Sequence, residues 1–407
     1  MHFFPILSTL RRHRTAAALI VLEIAFTCAI VCNAIFLIGD RLSRMDRASG
    51  VAEEELTRVR LTGLGTGETD AGALTARDLD ALRAIPGVRA VASTNMVPFG
   101  GSSWNNSMST IPNDPAPPIN VAMYMGTPDL LETLGVQLIA GRDFTPEEYL
   151  DYEAVQASKA TMASIIITRG VAERMFPGTS PLGQKLYVWG KEPQIVVGVI
   201  ELLARPNEYQ GAKGAEYAMV LPLNIPYTVG GNYLLRVDST RRAEVLAAVD
   251  AALDKVDPSR ILLERQTFSE LRKDYFKQDR AMAWLLVGVS IALLIITALG
   301  VVGLASFWVQ QRTRQIGIRR ALGATRGDIL RYFQTENFIL ATLGIVVGMA
   351  LAYAINLWLM SKYEVGRLPA EFLPIGALLL WLLGQIAVLG PALRASTIPP
   401  AIATRTV

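Results

Sequence analysis

Histidine is nearly missing from this 407-residue chain: His2 and His13 are the only two, and both precede the first apolar segment. A Ser-His-Asp or Cys-His arrangement is therefore excluded from everything after residue 13. Cysteine is equally sparse. Cys28 and Cys32 stand four apart inside an apolar stretch, on one helical face, and the long polar middle of the chain has none. That rules out a disulfide framework in the middle region and, with the missing histidines, zinc sites of the His/Cys kind. The two cysteines read either as a thiol pair or as two small hydrophobes packed among others. No G-x-x-x-x-G-K-[ST] occurs, so the chain lacks a phosphate-cradling loop of that type. Acid pairs such as Glu147 and Glu148, or Asp250 and Asp254, suit solvated helix faces. No catalytic residue, metal ligand, cofactor site or nucleic-acid surface is expected here.

Charge is also missing, but only locally. Residues 281–311, 337–361 and 372–393 carry no Asp, Glu, Lys or Arg, and residues 15–39 carry Glu23 alone. A bilayer-crossing helix needs about 20 apolar residues, so four transmembrane helices are expected at 15–39, 281–311, 336–361 and 372–393. Trp284 and Trp308 stand near the two ends of the second run, where interfacial aromatics belong. The first run is too long for a signal-peptide core and contains an acid, so it is expected to stay as an anchor. The remainder is polar: residues 40–280 hold 26 Lys/Arg against 31 Asp/Glu. Hydrophobic residues make up 51% of the chain, which fits a protein partly in lipid and partly in water.

Basic residues in short loops set orientation. Arg11, Arg12 and Arg14 precede the first span, six arginines crowd residues 310–331, and Arg394 and Arg405 follow the last span. Segments 1–14, 312–335 and 394–407 are therefore expected in the cytoplasm. Residues 40–280 and 362–371 are expected outside the inner membrane of a bacterium.

Within 58–280, short β-branched and aromatic runs alternate with helical periodicity. Strands are expected at 88–99, 119–126, 163–168, 184–189, 193–200 and 232–238, and helices at 76–85, 128–135, 242–256 and 267–276. Thr75 and Thr267 are the expected helix N-caps, and Glu270 gives Thr267 capping-box spacing. The Pro-rich run 111–120 reads as an irregular loop, and 41–57 and 267–280 as outward extensions of the first two spans. The fold class is thus a membrane protein of four transmembrane α-helices, with an α+β periplasmic domain inserted between the first and second.

Inside the spans, Gly344 and Gly348 form a G-x-x-x-G continued by Ala350 and Ala354, and Gly300 and Gly303 offer a second small face. Such faces let helices approach closely, either within one subunit or between two. Glu23 is costly in a span; it reads either as part of a passage or gate, or as a structural contact to an Arg or amide. Asn33, Asn356 and Gln385 are polar groups of the same ambiguous kind.

One cytoplasmic stretch is specific. Residues 312–352, RTRQIGIRRALGATRGDILRYFQTENFILATLGIVVGMALA, resemble the loop and third span of FtsX/MacB-type ABC transporter permeases. Residues 125–145, 164–186, 195–200 and 247–271 are similar to the MacB-type periplasmic core domain, and the order of one span, core domain and three spans is the same. The resemblance implies that Gln315, Ile316, Gly317, Ile318, Arg319, Arg320, Ala321, Leu322, Gly323 and Ala324 form an ATPase-coupling helix. From the residues alone, Ile316, Ile318, Ala321 and Leu322 make an apolar ridge flanked by Arg319 and Arg320. Such a ridge suits a partner's groove or anionic lipid headgroups.

The resemblance further implies a separate ABC ATPase in two copies that binds ATP and magnesium, and a second permease, identical or homologous. It also implies mechanotransmission to the periplasm. An adaptor and an outer-membrane channel belong to some such assemblies. Gln315 stands where the family usually has Glu, which favours a heteromeric pairing. The expected function is export or extrusion of an amphiphilic cargo such as an antibiotic, peptide, lipid or lipoprotein. The alternative is a non-transporting subunit that regulates a periplasmic enzyme or sensor kinase.

Overall fold

A computed structural model describes residues 14–63, 70–189, 191–207, 214–229, 231–363 and 366–399. The chain divides into two units: residues up to Asp46 together with those from Gln278 onward, and the inserted residues Arg47–Lys277.

The first unit is helical. α1 (Arg14–Met45) leads into the inserted unit, whose helices α2 to α7 are placed below. α8 (Lys277–Gln311), the short α9 (Thr313–Ala321), α10 (Arg326–Tyr363) and α11 (Phe372–Ser396) then follow. α1, α8, α10 and α11 are long and apolar enough to cross a bilayer. α1 is the most enclosed, and its buried face repeats every four residues through Ile20, Ile24, Cys28, Cys32 and Phe36. Glycines make that enclosure possible. A Cβ on Gly348 would lie 2.5 Å from Cys28 Cβ, and one on Gly344 would lie 2.8 Å from Ile24 Cβ. Gly376 of α11 is likewise pressed against Cys32. The G-x-x-x-G thus packs within the chain, and the two cysteines are free, fully buried fillers of that seam. Ala350 and Ala354 are exposed; the small face continues through Ala352 instead. Gly300 faces Glu23, whereas Gly303 has nothing within 4 Å of a Cβ. At the ends nearest the insertion, Arg41 and Arg44 of α1 both face Asp279 of α8.

The inserted unit holds two main sheets. The first, in the order β13-β1-β12-β2, is antiparallel and is built from Arg260–Thr267, Leu56–Gly63, Asn232–Val237 and Val88–Thr94. α2 (Ala71–Arg83) and α6 (Arg242–Asp254) cover it, and Leu79, Leu82, Val245 and Val249 meet Val59, Tyr233 and Leu235. The second sheet runs β3-β4-β10-β7-β9-β5: Asn105–Met108, Ile119–Met125, Ala218–Leu221, Ser164–Thr168, Gln194–Ile200 and Leu138–Gly141. β8 (Lys185–Leu186) pairs with β9. β7, buried on both faces, reads Ser-Ile-Ile-Ile-Thr without alternation, as an interior strand should. β6 (Leu150–Asp151) and β11 (Leu223–Asn224) form a small parallel pair. The remaining short helices are α3 (Leu130–Leu134), α4 (Tyr152–Gln156), α5 (Arg169–Met175) and α7 (Phe268–Tyr275).

Three local expectations are corrected. The N-cap of α2 is Asp70, five residues before Thr75: its carboxylate accepts from the N–H groups of Gly72 and Ala73, at 3.0 and 3.1 Å. Thr75 lies inside the helix and donates to the Ala71 carbonyl. Of 184–189, only Lys185 and Leu186 join a sheet. Helix α1 stops at Met45, so residues 46–55 are not a helical extension. The Thr267–Glu270 capping box is present, with both reciprocal bonds.

Polar ties, one buried and two partly exposed, join parts of this unit. Arg260 pairs through both terminal nitrogens with Asp78, which also accepts from the Tyr233 hydroxyl at 2.6 Å; the arginine and the carboxylate are 2% and 0% exposed. Where the chain enters and leaves the unit, Arg272 binds Glu53 and the Arg47 carbonyl and lies 5.0 Å over the Phe99 ring. On the second sheet, Glu148 accepts from Arg142, Ser164 and the Thr145 N–H. The Arg142 bonds foremost hold its carboxyl down at about 2.

Candidate functional site

The sequence singles out the segment between α8 and α10. Its helix α9 is short because Gly323, at φ +100°, takes a left-handed turn that lets the Gly323 and Ala324 N–H groups reach back to the Arg320 and Arg319 carbonyls. α10 then starts on a second cap that sequence reading passed over. Thr325 and Asp328 exchange the two reciprocal bonds of a box, with Asp in place of Glu.

The expected apolar ridge is divided between two faces. Ile316 is 4% exposed and packs in a cluster with Ile329 and Phe333 of α10 and Val388, Ala392 and Ala395 of α11. Gly317 is buried beside it. Ile318 and Leu322 point the other way, 47% and 82% exposed. The reason is helical spacing: 316 and 318 lie about 200° apart around an α-helix, while 318 and 322 are one turn apart on the same side. Gln315 joins the outer stripe, and Ala321 and Gly323 are exposed next to it; Ala324 is half-buried. The two arginines of the basic flank are engaged within the chain. The Arg319 guanidinium lies 4.7 Å over the Tyr332 ring, and Arg320 donates to the Ile398 carbonyl at 2.7 Å.

Arg312 and Glu336 border two of the uncharged runs in the sequence, and the fold brings them together. Arg312 Nη1 donates to both Glu336 oxygens, at 3.0 and 2.8 Å, and its guanidinium lies 5.4 Å from the Trp308 ring. Their side chains are 7% and 2% exposed. The available signal was a single acid at the head of an apolar helix, which needs a cation when buried.

Elsewhere in the bundle, Glu23 lies against Gly300, and one turn further on the Thr27 and Thr297 hydroxyls meet at 2.7 Å. Among the described residues Glu23 has no hydrogen-bond or ion-pair partner; its carboxylate lies against Gly300. Asn33 donates to the Ala29 and Ala352 carbonyls, and Asn356 accepts from the Leu368 N–H. Gln385 donates to the Gln334 carbonyl at 3.5 Å. These three are ties between backbone and side chain.

Chemically, the α9 region has no reactive group to offer. It offers an exposed stripe, Gln315–Ile318–Leu322, on a helix whose opposite face is fixed to α10 and α11 by apolar contact and a buried ion pair.

Residues 17–256 match the family model of the MacB-like periplasmic core domain, and residues 287–400 that of the FtsX-like permease C-terminal region. The macrolide export ATP-binding/permease protein MacB of a Shewanella species is 27% identical over 308 residues, covering 72% of this chain and 43% of that protein. The pyoverdine export ATP-binding/permease protein PvdT of Pseudomonas entomophila is 30% identical over 212 residues, 50% of this chain and 32% of that one. The uncharacterised ABC transporter permease YknZ of Bacillus subtilis is 26% identical over 226 residues, 54% of this chain and 53% of that one. The chain spans between about a third and about half of these relatives' own lengths. Among solved structures, the periplasmic region of MacB from Actinobacillus actinomycetemcomitans is similar at 13% identity and a TM-score of 0.32, covering 56% of this chain and 95% of that one.

Proposed function

The chain belongs to the family of ABC transporter permeases that carry a MacB-like periplasmic core domain and an FtsX-like membrane domain, and we propose that it converts ATP hydrolysis by a separate ATPase into movement of its periplasmic domain. Two ATPase copies, which bind the ATP and magnesium, sit under two permeases, this chain and an identical or homologous one. The termini and the α9 region face the cytoplasm. This chain itself is non-catalytic. The cargo is an amphiphile exported or extruded from the periplasmic side, a reading supported by relatives named for macrolide and pyoverdine export. A periplasmic adaptor and an outer-membrane channel complete the path.

The observation that carries this is the exposed Ile318–Leu322 pair on a helix seated against α10 and α11. An apolar stripe at i and i+4 on a short rigid helix fits a groove on a partner. Because Ile316 belongs to the bundle core, the informative substitution is on the outer face. Leu322→Asp should leave the permease folded and reduce ATPase co-purified from native membranes by about tenfold, as for the loss of one apolar anchor at an interface. Undiminished co-purification with both Ile318→Asp and Leu322→Asp would rule out α9 as the docking element.

A further inference from the structure

The ion pair between Arg312 and Glu336 ties the start of α9 to α10. Along α10, Ile329, Phe333 and Glu336 follow at four and three residues and form one stripe. Along the entry to α9, Arg312 and Ile316 are one turn apart. Ile316 packs with Ile329 and Phe333, and Arg312 binds Glu336. The apolar part of this contact does not define a position. Ile329 and Phe333 are both large and apolar, so a slip of one turn, about 5.4 Å, replaces one such neighbour with another. The ion pair has no such second position: after a slip, a buried carboxylate and a buried guanidinium would each lie against apolar side chains. Buried ionic groups add little stability over an apolar filling, but they do select one register among several. The guanidinium also lies over the ring of Trp308, one turn before Arg312 in α8. Arg312 also stands at the junction of α8 and α9, as the N-cap residue of α9.

We propose that Arg312 and Glu336 are positioning residues that lock α9 to α10, so that a push on the outer stripe moves α10 rather than sliding α9 along it. The transmission half of this proposal rests on the coupling reading above; the register half does not.

Two experiments separate them. In the complex with its ATPase, Arg312→Glu and Glu336→Arg should each leave ATPase co-purification intact and the KM for ATP unchanged, while lowering permease-stimulated turnover by about tenfold, within the usual range of coupling energies. The double reversal, Arg312→Glu with Glu336→Arg, should restore most of it. Full turnover in the single variants, or no restoration in the double, would overturn transmission through the pair. Loss of the ATPase from the wild-type complex would instead overturn the coupling reading. In the permease alone, Ile316→Cys is combined with Phe333→Cys or with Ile329→Cys and cross-linked with an oxidant. One pair should dominate when Glu336 is present, and the two should approach equal yield with Glu336→Gln. A preference unchanged by Glu336→Gln would overturn the register function, whatever the ATPase does.

Discussion

Gly348→Ala tests the seam that organises the membrane helices. The added methyl carbon would stand 2.5 Å from Cys28 Cβ, 2.7 Å from the Ala25 carbonyl oxygen and 3.1 Å from Ala25 Cα. Carbon atoms rest at about 3.5–4.0 Å, so α1 and α10 must part by roughly 1 Å at that level. Two of the three obstacles are backbone atoms, which no rotamer change can remove. A gap of that size forfeits about a quarter to a half of each dispersion contact along the seam, which includes Ile24, Cys28, Ala29, Ala341 and Ile345. The expected loss is about 1–3 kcal/mol, the range for overpacking a well-filled core. Gly303→Ala is the matched control: the same methyl meets nothing within 4 Å, and alanine is the better helix former by about 1 kcal/mol. The assay is reversible unfolding of the detergent-solubilised full chain, followed by helical circular dichroism against denaturant. If Gly348→Ala is as stable as wild type, or if Gly303→Ala loses as much, the intrachain seam is refuted. A shift in oligomeric state without a change in stability would then favour the glycines as a contact between two chains.

Two predictions concern the inserted unit. Asp78→Asn leaves the buried Arg260 with only Asp257, 3.6 Å away, as a counter-charge and should cost up to about 3–5 kcal/mol, while Asp78→Leu combined with Arg260→Met and Tyr233→Phe should recover most of that loss; urea unfolding of this series measures both. Glu148 has a folded value near 2, pulled down foremost by Arg142, against about 4.3 for an unfolded glutamate. Its contribution to stability is complete above the unfolded value and disappears as pH falls from there through about 2. Glu148→Gln should therefore flatten the fall in melting temperature across that window, and an unaltered slope would contradict the assignment.

The elements legible in the sequence are those whose cause is local. A charge in lipid is costly, so three long runs without charged residues, and a fourth with Glu23 alone, mark four spans whatever they pack against. The Thr267–Glu270 box could be read because both partners lie within one turn. Thr75 misled because its hydroxyl, like that of any cap residue, can bond to nearby backbone; in the fold it serves Ala71 and the Tyr227 N–H, 152 residues away. Arg312–Glu336 and Asp78–Arg260 join residues 24 and 182 positions apart, and no periodicity announces such partners. The division of Ile316 from Ile318 was available from helical spacing, but which side would be buried depended on α10 and α11. The resemblance indicated the coupling segment as a whole; only the packing separates its outward stripe from its inward anchor.

The helix α8 has a mechanical consequence of its own. Its 35 residues make a rod about 52 Å long, well beyond the roughly 30 Å of hydrocarbon it has to cross. It contains no proline, the residue that most directly breaks a helix. α11, by contrast, carries Pro391 within its final turns. Stiffness is thus unevenly distributed among the spans.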